Sequence, residues 1–202
     1  LPASVLTNMK SYPTNAHPMA VLRTAVSALG LHDSAAEDNS PDANVRKAVH
    51  LTAKIPTIIA AWARIRTGKE PITPREDLSL AANFLYMLRG EEPDPLEGEI
   101  MDKCLLLHAE HGFNASTFAA RVTASTLSDL YSAVTTAIGT LKGPLHGGAN
   151  QRAMEMLLEI DTLDNVAPYI DAALTAKQRI MGFGHRVYRK CADPRSHYLK
   201  DM

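Results

Sequence analysis

The chain has 202 residues, 46% hydrophobic and 21% charged, with 21 Lys and Arg against 22 Asp and Glu for a formal net charge of −1. That is long enough to bury a core without disulfide staples, too apolar for a disordered chain and too evenly charged for a polyanion binder, so cystine scaffolds, disorder and nucleic-acid binding are set aside. No apolar stretch approaches the roughly 18 residues of a membrane span, and no basic-then-apolar leader opens the chain, so no membrane association is expected.

Cys104 and Cys191 lie far apart in a chain that needs no bridge. They are expected as free thiols in a reducing compartment, which favours the cytoplasm. A chain that begins at Leu1 rather than Met, and stops at Met202 inside a polar-apolar pattern, is expected to be part of a longer protein.

Apolar residues three and four apart predict helices at about 17–29, 43–67, 76–89, 95–111, 115–127, 129–141, 146–159, 164–178 and 194–202. The first starts where His17 precedes Pro18 and ends at Gly30. Residues 31–42, LHDSAAEDNSPD, are acidic and turn-rich and form a surface connection. Further along, Thr73-Pro74-Arg75-Glu76 and Asp94-Pro95-Leu96-Glu97 each supply a capping oxygen, a proline for the first turn and a Glu that closes a capping box. Gly68, Gly90 and Gly112, like Gly30, follow helical runs and are expected to stop them in the left-handed conformation.

The segment Ser128–Leu141, SDLYSAVTTAIGTL, is rich in Ala, Ser, Thr and Gly and predicts a helix buried on most sides, either in the core or against a second copy. The composition does not choose between these. Only Ile180-Met181-Gly182-Phe183 reads as extended, too short to found a sheet. The fold class is all-α.

Chemistry concentrates in three segments. In Gly143-Pro144-Leu145-His146-Gly147-Gly148-Ala149-Asn150 a histidine among tiny residues is expected to open a helix, where backbone N–H groups and the dipole disfavour imidazolium. A neutral imidazole so placed donates to a developing oxyanion. A plain turn with an incidental histidine is the competing account. In Gly182-Phe183-Gly184-His185-Arg186-Val187-Tyr188, with Asp193-Pro194-Arg195 beyond, a histidine suited to polarising a carbonyl lies near guanidinium groups suited to carboxylates. Asp193 is read there as a helix cap. In Cys104–Asn114, Cys104, His108 and His111 share one helix face that could hold zinc, but nothing completes a ligand set, and no metal site is expected. His111, ahead of Asn114, is the residue placed to reach a cleft.

Together HAEHGFNAST at 108–117, SDLYSA at 128–133, GPLHGGAN at 143–150 and GFGHRVYRKCADPR at 182–195 resemble the citrate synthases, including the related 2-methylcitrate synthases. Weaker similarity runs back through HPMAVLRTAVSALG at 17–30 and ANFLYMLRG at 82–90, in a bacterial and archaeal rather than mitochondrial form. The resemblance implies a citrate-synthase-like helical fold, with a large helical domain over 1–150 and the start of a small domain over 151–202. It implies condensation of acetyl-CoA, as cosubstrate with no tightly bound cofactor, with oxaloacetate to citrate and CoA.

By the same resemblance His146 holds the thioester carbonyl as its enol or enolate forms, and His185 activates the ketone and donates to the new alkoxide. His111 and Asn114 hold oxaloacetate and Arg195 clamps one of its carboxylates. Arg179, Ile180, Met181, Gly182, Phe183 and Gly184 contact the CoA adenine, and helices over about 115–141 form a homodimer interface. Four residues, Arg189 to Ala192, separate Tyr188 from Asp193, one more than the bacterial pattern, which bears on the register of Arg195.

The family's catalytic Asp, which removes the α-proton, and further arginines are expected beyond Met202, so the 202 residues alone are expected to be inactive. Glu110, Asp129 and Asp193 each have another role in view, and a thioester proton needs a positioned base as well as a donor. Propionyl-CoA as the acyl donor, giving 2-methylcitrate, and a non-catalytic helical ligand-binding module stand as the alternatives.

Overall fold

The structure is a computed structural model that describes residues 1–110, 112–184, 188–200 and 202. Among them the chain forms ten α-helices and no strand: α1 Ala3–Lys10, α2 Pro18–Gly30, α3 Pro41–Ile65, α4 Leu80–Arg89, α5 Pro95–His108, α6 Ala115–Ser125, α7 Leu130–Leu141, α8 Gly148–Ile160, α9 Val166–Thr175 and α10 Arg195–Lys200, with a 3-10 turn over Leu163–Asn165. The all-α expectation holds. Ile180–Phe183 is not extended; Met181 and Gly182 form a turn, with Gly182 at φ +86°.

Side-chain caps set most of these boundaries. The side chains of Ser40, Ser79, Asp94, Asn114 and Asp129 each accept a backbone N–H from the first turn of α3, α4, α5, α6 and α7. Asp94 and Glu97 close the expected capping box. Thr73-Pro74 does not start a helix: α4 begins at Leu80. The preceding strand of chain is held against α4 instead, because Arg75 N–H donates to Asn83 Oδ1 at 3.0 Å while Asn83 Nδ2 donates back to the Arg75 carbonyl. The Arg75 guanidinium also reaches Glu92, at 2.6 Å, and Asp77.

Two further departures have packing causes. Helix α1 was not anticipated; it is short and lacks a side-chain cap, but Val5 and Met9, one turn apart, are buried in the core. Gly30 ends α2 without a left-handed φ, unlike Gly68, Gly90 and Gly112. Its lack of a side chain serves close approach, since a Cβ there would stand 3.3 Å from the Tyr131 ring.

Helix α7 lies between α6 and α2, α2 packs on α3, and α3, α4 and α5 follow in succession. One core joins Val5 and Met9 of α1, Val26 and Leu29 of α2, Ile58 and Trp62 of α3, and Tyr131 and Ile138 of α7. One face of the small-residue helix is buried within its own chain, with Tyr131, Ala133 and Ile138 in the core and Ala133 3% exposed, and small side chains let α6 and α2 approach it closely. The acidic connection after α2 is tied down at three points. The buried Lys47 Nζ donates to the carbonyls of Ala36 and Asp38 at 2.8 and 2.7 Å, Asn39 Nδ2 to the Leu127 carbonyl at 2.9 Å, and Tyr131 OH to Asp33 Oδ2 at 2.8 Å.

Candidate active site

The turn between α7 and α8 carries His146. Helix α8 starts at Gly148, so His146 stands two residues ahead of it rather than opening it, and its own N–H donates to the Gly143 carbonyl at 2.9 Å. The first amides of α8 are similarly spent on backbone: Gly148 N–H on Gly143 O at 3.2 Å and Ala149 N–H on His146 O at 3.1 Å. The convergent amides expected around the imidazole are thus committed elsewhere. What fixes the turn is Gly147, where a Cβ would lie 2.5 Å from the Leu141 carbonyl oxygen. The bare backbone folds onto the end of α7 and turns His146 toward α6.

There His146 Nε2 lies 2.9 Å from Ser116 Oγ. Ser116 Oγ donates to Asn114 Oδ1 at 2.8 Å, and the same oxygen accepts the Thr117 N–H at 2.9 Å as the cap of α6. Two donors on one Asn oxygen fix that amide's orientation, and the serine proton spent there leaves Ser116 to accept from Nε2–H. If the hydroxyl turns to Nε2 instead, the neutral ring carries its proton on Nδ1 and can donate to a substrate oxygen from that side. Ser116 was not singled out from the sequence; its place two residues after the capping Asn114 is the signal that marks it.

A cavity of about 750 Å³ opens beside this turn, and all six residues from Arg179 to Gly184 line it together with Leu174, Gln178, Ala149 and Asn150. The motif that follows His146 and the motif that precedes His185 therefore share one wall. Gly182 closes over α8, where its missing Cβ would stand 3.7 Å from Ala153 Cβ. His111 and His185 lie outside the described residues.

Arg195 opens α10, which packs against α5, the helix that leads to the His111 segment. Its guanidinium is paired with Asp193, Nη2 to Oδ2 at 2.5 Å, which raises its pKa. Asp193 also accepts the Arg195 backbone N–H at 3.0 Å, the capping role expected of it. The other carboxylates are occupied as well. Asp129 accepts from Ser132 N–H at 2.9 Å and Ser132 Oγ at 2.5 Å, and although burial pushes its pKa up, these hydrogen bonds outweigh it and hold it low. Glu110 accepts the Gly112 N–H.

His108 Nδ1 lies 2.6 Å from the Cys104 carbonyl of its own helix, and the described residues hold no cluster of metal-ligating side chains. Cys104 and Cys191 are free thiols. No helix is long and apolar enough to cross a membrane among the described residues. A smaller cavity of about 330 Å³ between α4 and α5 is lined by Glu92, Asp94, Glu99 and Asp102, the wrong sign for an acidic substrate.

A family model described as citrate synthase, C-terminal domain, matches residues 1–202. The chain belongs to the citrate synthase family. It is 58% identical over 203 residues to "Citrate synthase 2" of Bacillus subtilis strain 168, covering 100% of this chain and 54% of that protein. "Citrate/2-methylcitrate synthase" of the same strain is 49% identical over 201 residues, with 100% and 54% covered. The solved citrate synthase of Thermoplasma acidophilum, in ternary complex with carboxymethyl coenzyme A and oxaloacetate, superposes with a TM-score of 0.84 at 32% identity, covering 100% of this chain and 52% of that one. The chain thus spans about half the length of the citrate synthases it matches. Its fold is theirs.

Proposed function

We propose that the protein carrying this chain condenses acetyl-CoA with oxaloacetate to give citrate and CoA. The observation that carries this reading is a match along the whole chain to proteins named citrate synthase. A carboxylate base, the Asp expected beyond Met202, takes a proton from the thioester methyl group; the resulting enol or enolate carbon bonds to the keto carbon, whose oxygen takes up a proton, and water then cleaves the thioester to release CoA. With the Ser116 hydroxyl turned to donate to Nε2, His146 carries its proton on Nδ1 and donates it in a hydrogen bond to the thioester oxygen as the enol or enolate develops, where a positioned donor counts most. His185 donates to the ketone oxygen as it becomes alkoxide. His111, Asn114 and Arg195 hold oxaloacetate. The wall from Arg179 to Gly184 takes the CoA adenine, which the cavity it lines has room to receive.

The division into a large domain over 1–150 and a small one from 151 belongs to the same reading, as does a cytoplasmic location. So does a homodimer through α6 and α7. The most exposed large apolar side chains there are on α6, where Phe118 and Val122 stand 56% and 52% exposed. Phe118→Asp is expected to shift the protein from dimer to monomer in sedimentation velocity while leaving its helicity intact; an unchanged dimer would place the interface elsewhere.

The deciding experiment is thiol release with acetyl-CoA and oxaloacetate, in the full-length protein carrying this chain and in its Arg195→Ala variant. A carboxylate that loses a bidentate partner should bind oxaloacetate about tenfold or more weakly, with the acetyl-CoA dependence unchanged. Equal losses for both substrates would sink the assignment of Arg195. The second reading, 2-methylcitrate synthesis, is favoured by the relative named for both activities. Faster turnover with propionyl-CoA than with acetyl-CoA would select it.

A further inference from the structure

A guanidinium offers a carboxylate two forked edges: Nε with one terminal nitrogen, or the two terminal nitrogens together. In Arg195 the first edge is taken. Its Nε lies 3.0 and 3.2 Å from Asp193 Oδ1 and Oδ2, and its Nη2 lies 2.5 Å from Oδ2. The backbone is bound into the same unit, because Asp193 Oδ1 accepts the Arg195 N–H at 3.0 Å and the Asp193 carbonyl accepts from Ser196 N–H and Oγ at 2.9 and 2.5 Å.

This is not an ordinary surface pair. Lys10 and Glu70 meet with side chains 48% and 82% exposed, whereas Arg195 and Asp193 are 23% and 26% exposed, on a helix that packs against α5. Nη1 has no hydrogen-bond partner among the described residues, and Nη2 has a second proton to give.

We propose that Asp193 is a positioning residue for the keto acid: by occupying the Nε and Nη2 edge it fixes the guanidinium plane of Arg195 and presents the Nη1 and Nη2 edge to the substrate carboxylate. The inference rests on the role given to Arg195 under the proposed function. Two physical effects of Asp193 oppose each other. Its charge repels a dicarboxylate, so by electrostatics alone its neutralisation tightens binding. Its fork removes the rotamer freedom of a long side chain before the ligand arrives, so by preorganisation its neutralisation weakens binding. Because the pair is partly buried and held at several points, preorganisation governs.

The sign is measurable by isothermal titration of oxaloacetate into the full-length protein carrying this chain and into its Asp193→Asn, Asp193→Glu, Arg195→Ala and double Asp193→Asn with Arg195→Ala variants. Asn caps a helix as Asp does, so Asp193→Asn keeps α10 while removing the charged fork. It should weaken oxaloacetate binding about tenfold. Acetyl-CoA binding should stay within about twofold, Asp193→Glu should recover part of the loss, and the Asn step should cost nothing once Arg195 is Ala. Unchanged or tighter oxaloacetate binding in Asp193→Asn, or equal losses for both ligands, overturns the inference while leaving Arg195 its role. A wild-type protein that does not bind oxaloacetate, or an Arg195→Ala variant that binds it normally, removes the role of Arg195 and the inference with it.

Discussion

From Leu1 to Leu141 the chain buries apolar side chains from five helices, among them Met9, Val26, Ile58, Ala81 and Ile138, whereas from Lys142 onward only Ile160 and Ala173 are buried among the described residues. Over that second stretch Leu145, Leu157, Leu158, Leu163 and Leu174 are largely exposed. Yet it is the second stretch that carries His146, the wall from Arg179 to Gly184, and Arg195. The two regions divide the labour. A well-buried bundle supplies reference positions, and a sparsely buried segment carries most of the groups proposed to meet a ligand, tied to the bundle where position matters: at Gly147 against Leu141, at His146 against Ser116, and at α10 against α5. Sites held on rigid elements keep their geometry, while segments with few buried contacts open at low cost.

The sharpest test of that division is a pair of truncations. Ile58 is fully buried in the core, so Ile58→Ala removes three carbons from a packed site and is expected to cost about 2–5 kcal/mol. Leu158 is 71% exposed, so Leu158→Ala is expected to stay within about 0.5 kcal/mol. Urea denaturation followed by circular dichroism measures both. Similar losses at the two positions would mean that Leu158 is covered in solution, and the contrast between the regions would collapse.

A smaller effect at the junction separates stability from placement. Gly147→Ala sets a Cβ against the Leu141 carbonyl oxygen, a backbone atom that cannot rotate away, so the turn must shift. Overpacking of this kind costs about 1–3 kcal/mol. The more telling readout is His146, whose ring resonances should lose the signature of a hydrogen bond to Ser116 in nuclear magnetic resonance spectra. Ser116→Ala should produce the same ring signature with little loss of stability. A normal His146 environment in Gly147→Ala would show that something other than the close approach sets the turn.

What the sequence made legible follows the same division. Caps and turn glycines are local devices, and Asp94 does what its position implies because a cap is decided within a few residues; Asn114 and Asp129 cap α6 and α7 by the same local rule, though neither was singled out as a cap from the sequence. The misses are tertiary. Thr73-Pro74 has every local mark of a helix start, but Arg75 and Asn83 make better use of the segment across the α4 start. Gly30 is a packing glycine whose reason is a tyrosine a hundred residues away. Motifs located His146, Asn114 and Arg195, but not their partners. Whether an Arg side chain meets a neighbouring Asp, or a Ser hydroxyl a His, depends on rotamers and helix packing that no spacing rule contains.

The smallest predicted effect lies wholly in the bundle and concerns its pH dependence. Asp33 is held below the usual carboxylate range first by the Ala35 N–H and then by Tyr131 OH, while burial first, and then Asp33, push Tyr131 up to about 12. For Asp33 the folded pKa is depressed, so its contribution is present above the unfolded value near 3.8 and is lost as pH falls through the lower folded value. For Tyr131 the folded pKa is raised, so its contribution is complete below the unfolded value of 10 and is lost as pH rises through about 12. Tyr131→Phe removes the hydroxyl alone. At pH 7 it is expected to cost about 1–2 kcal/mol, because Asp33 keeps its backbone donor. Denaturation curves at pH 3, 7 and 11 should show a shallower acid loss in the variant and an alkaline loss reduced between pH 10 and 12. An alkaline limb identical to that of the wild-type protein would mean that Tyr131 does not ionise on unfolding in this range, and that the tie between Asp33 and α7 contributes through packing rather than through its proton.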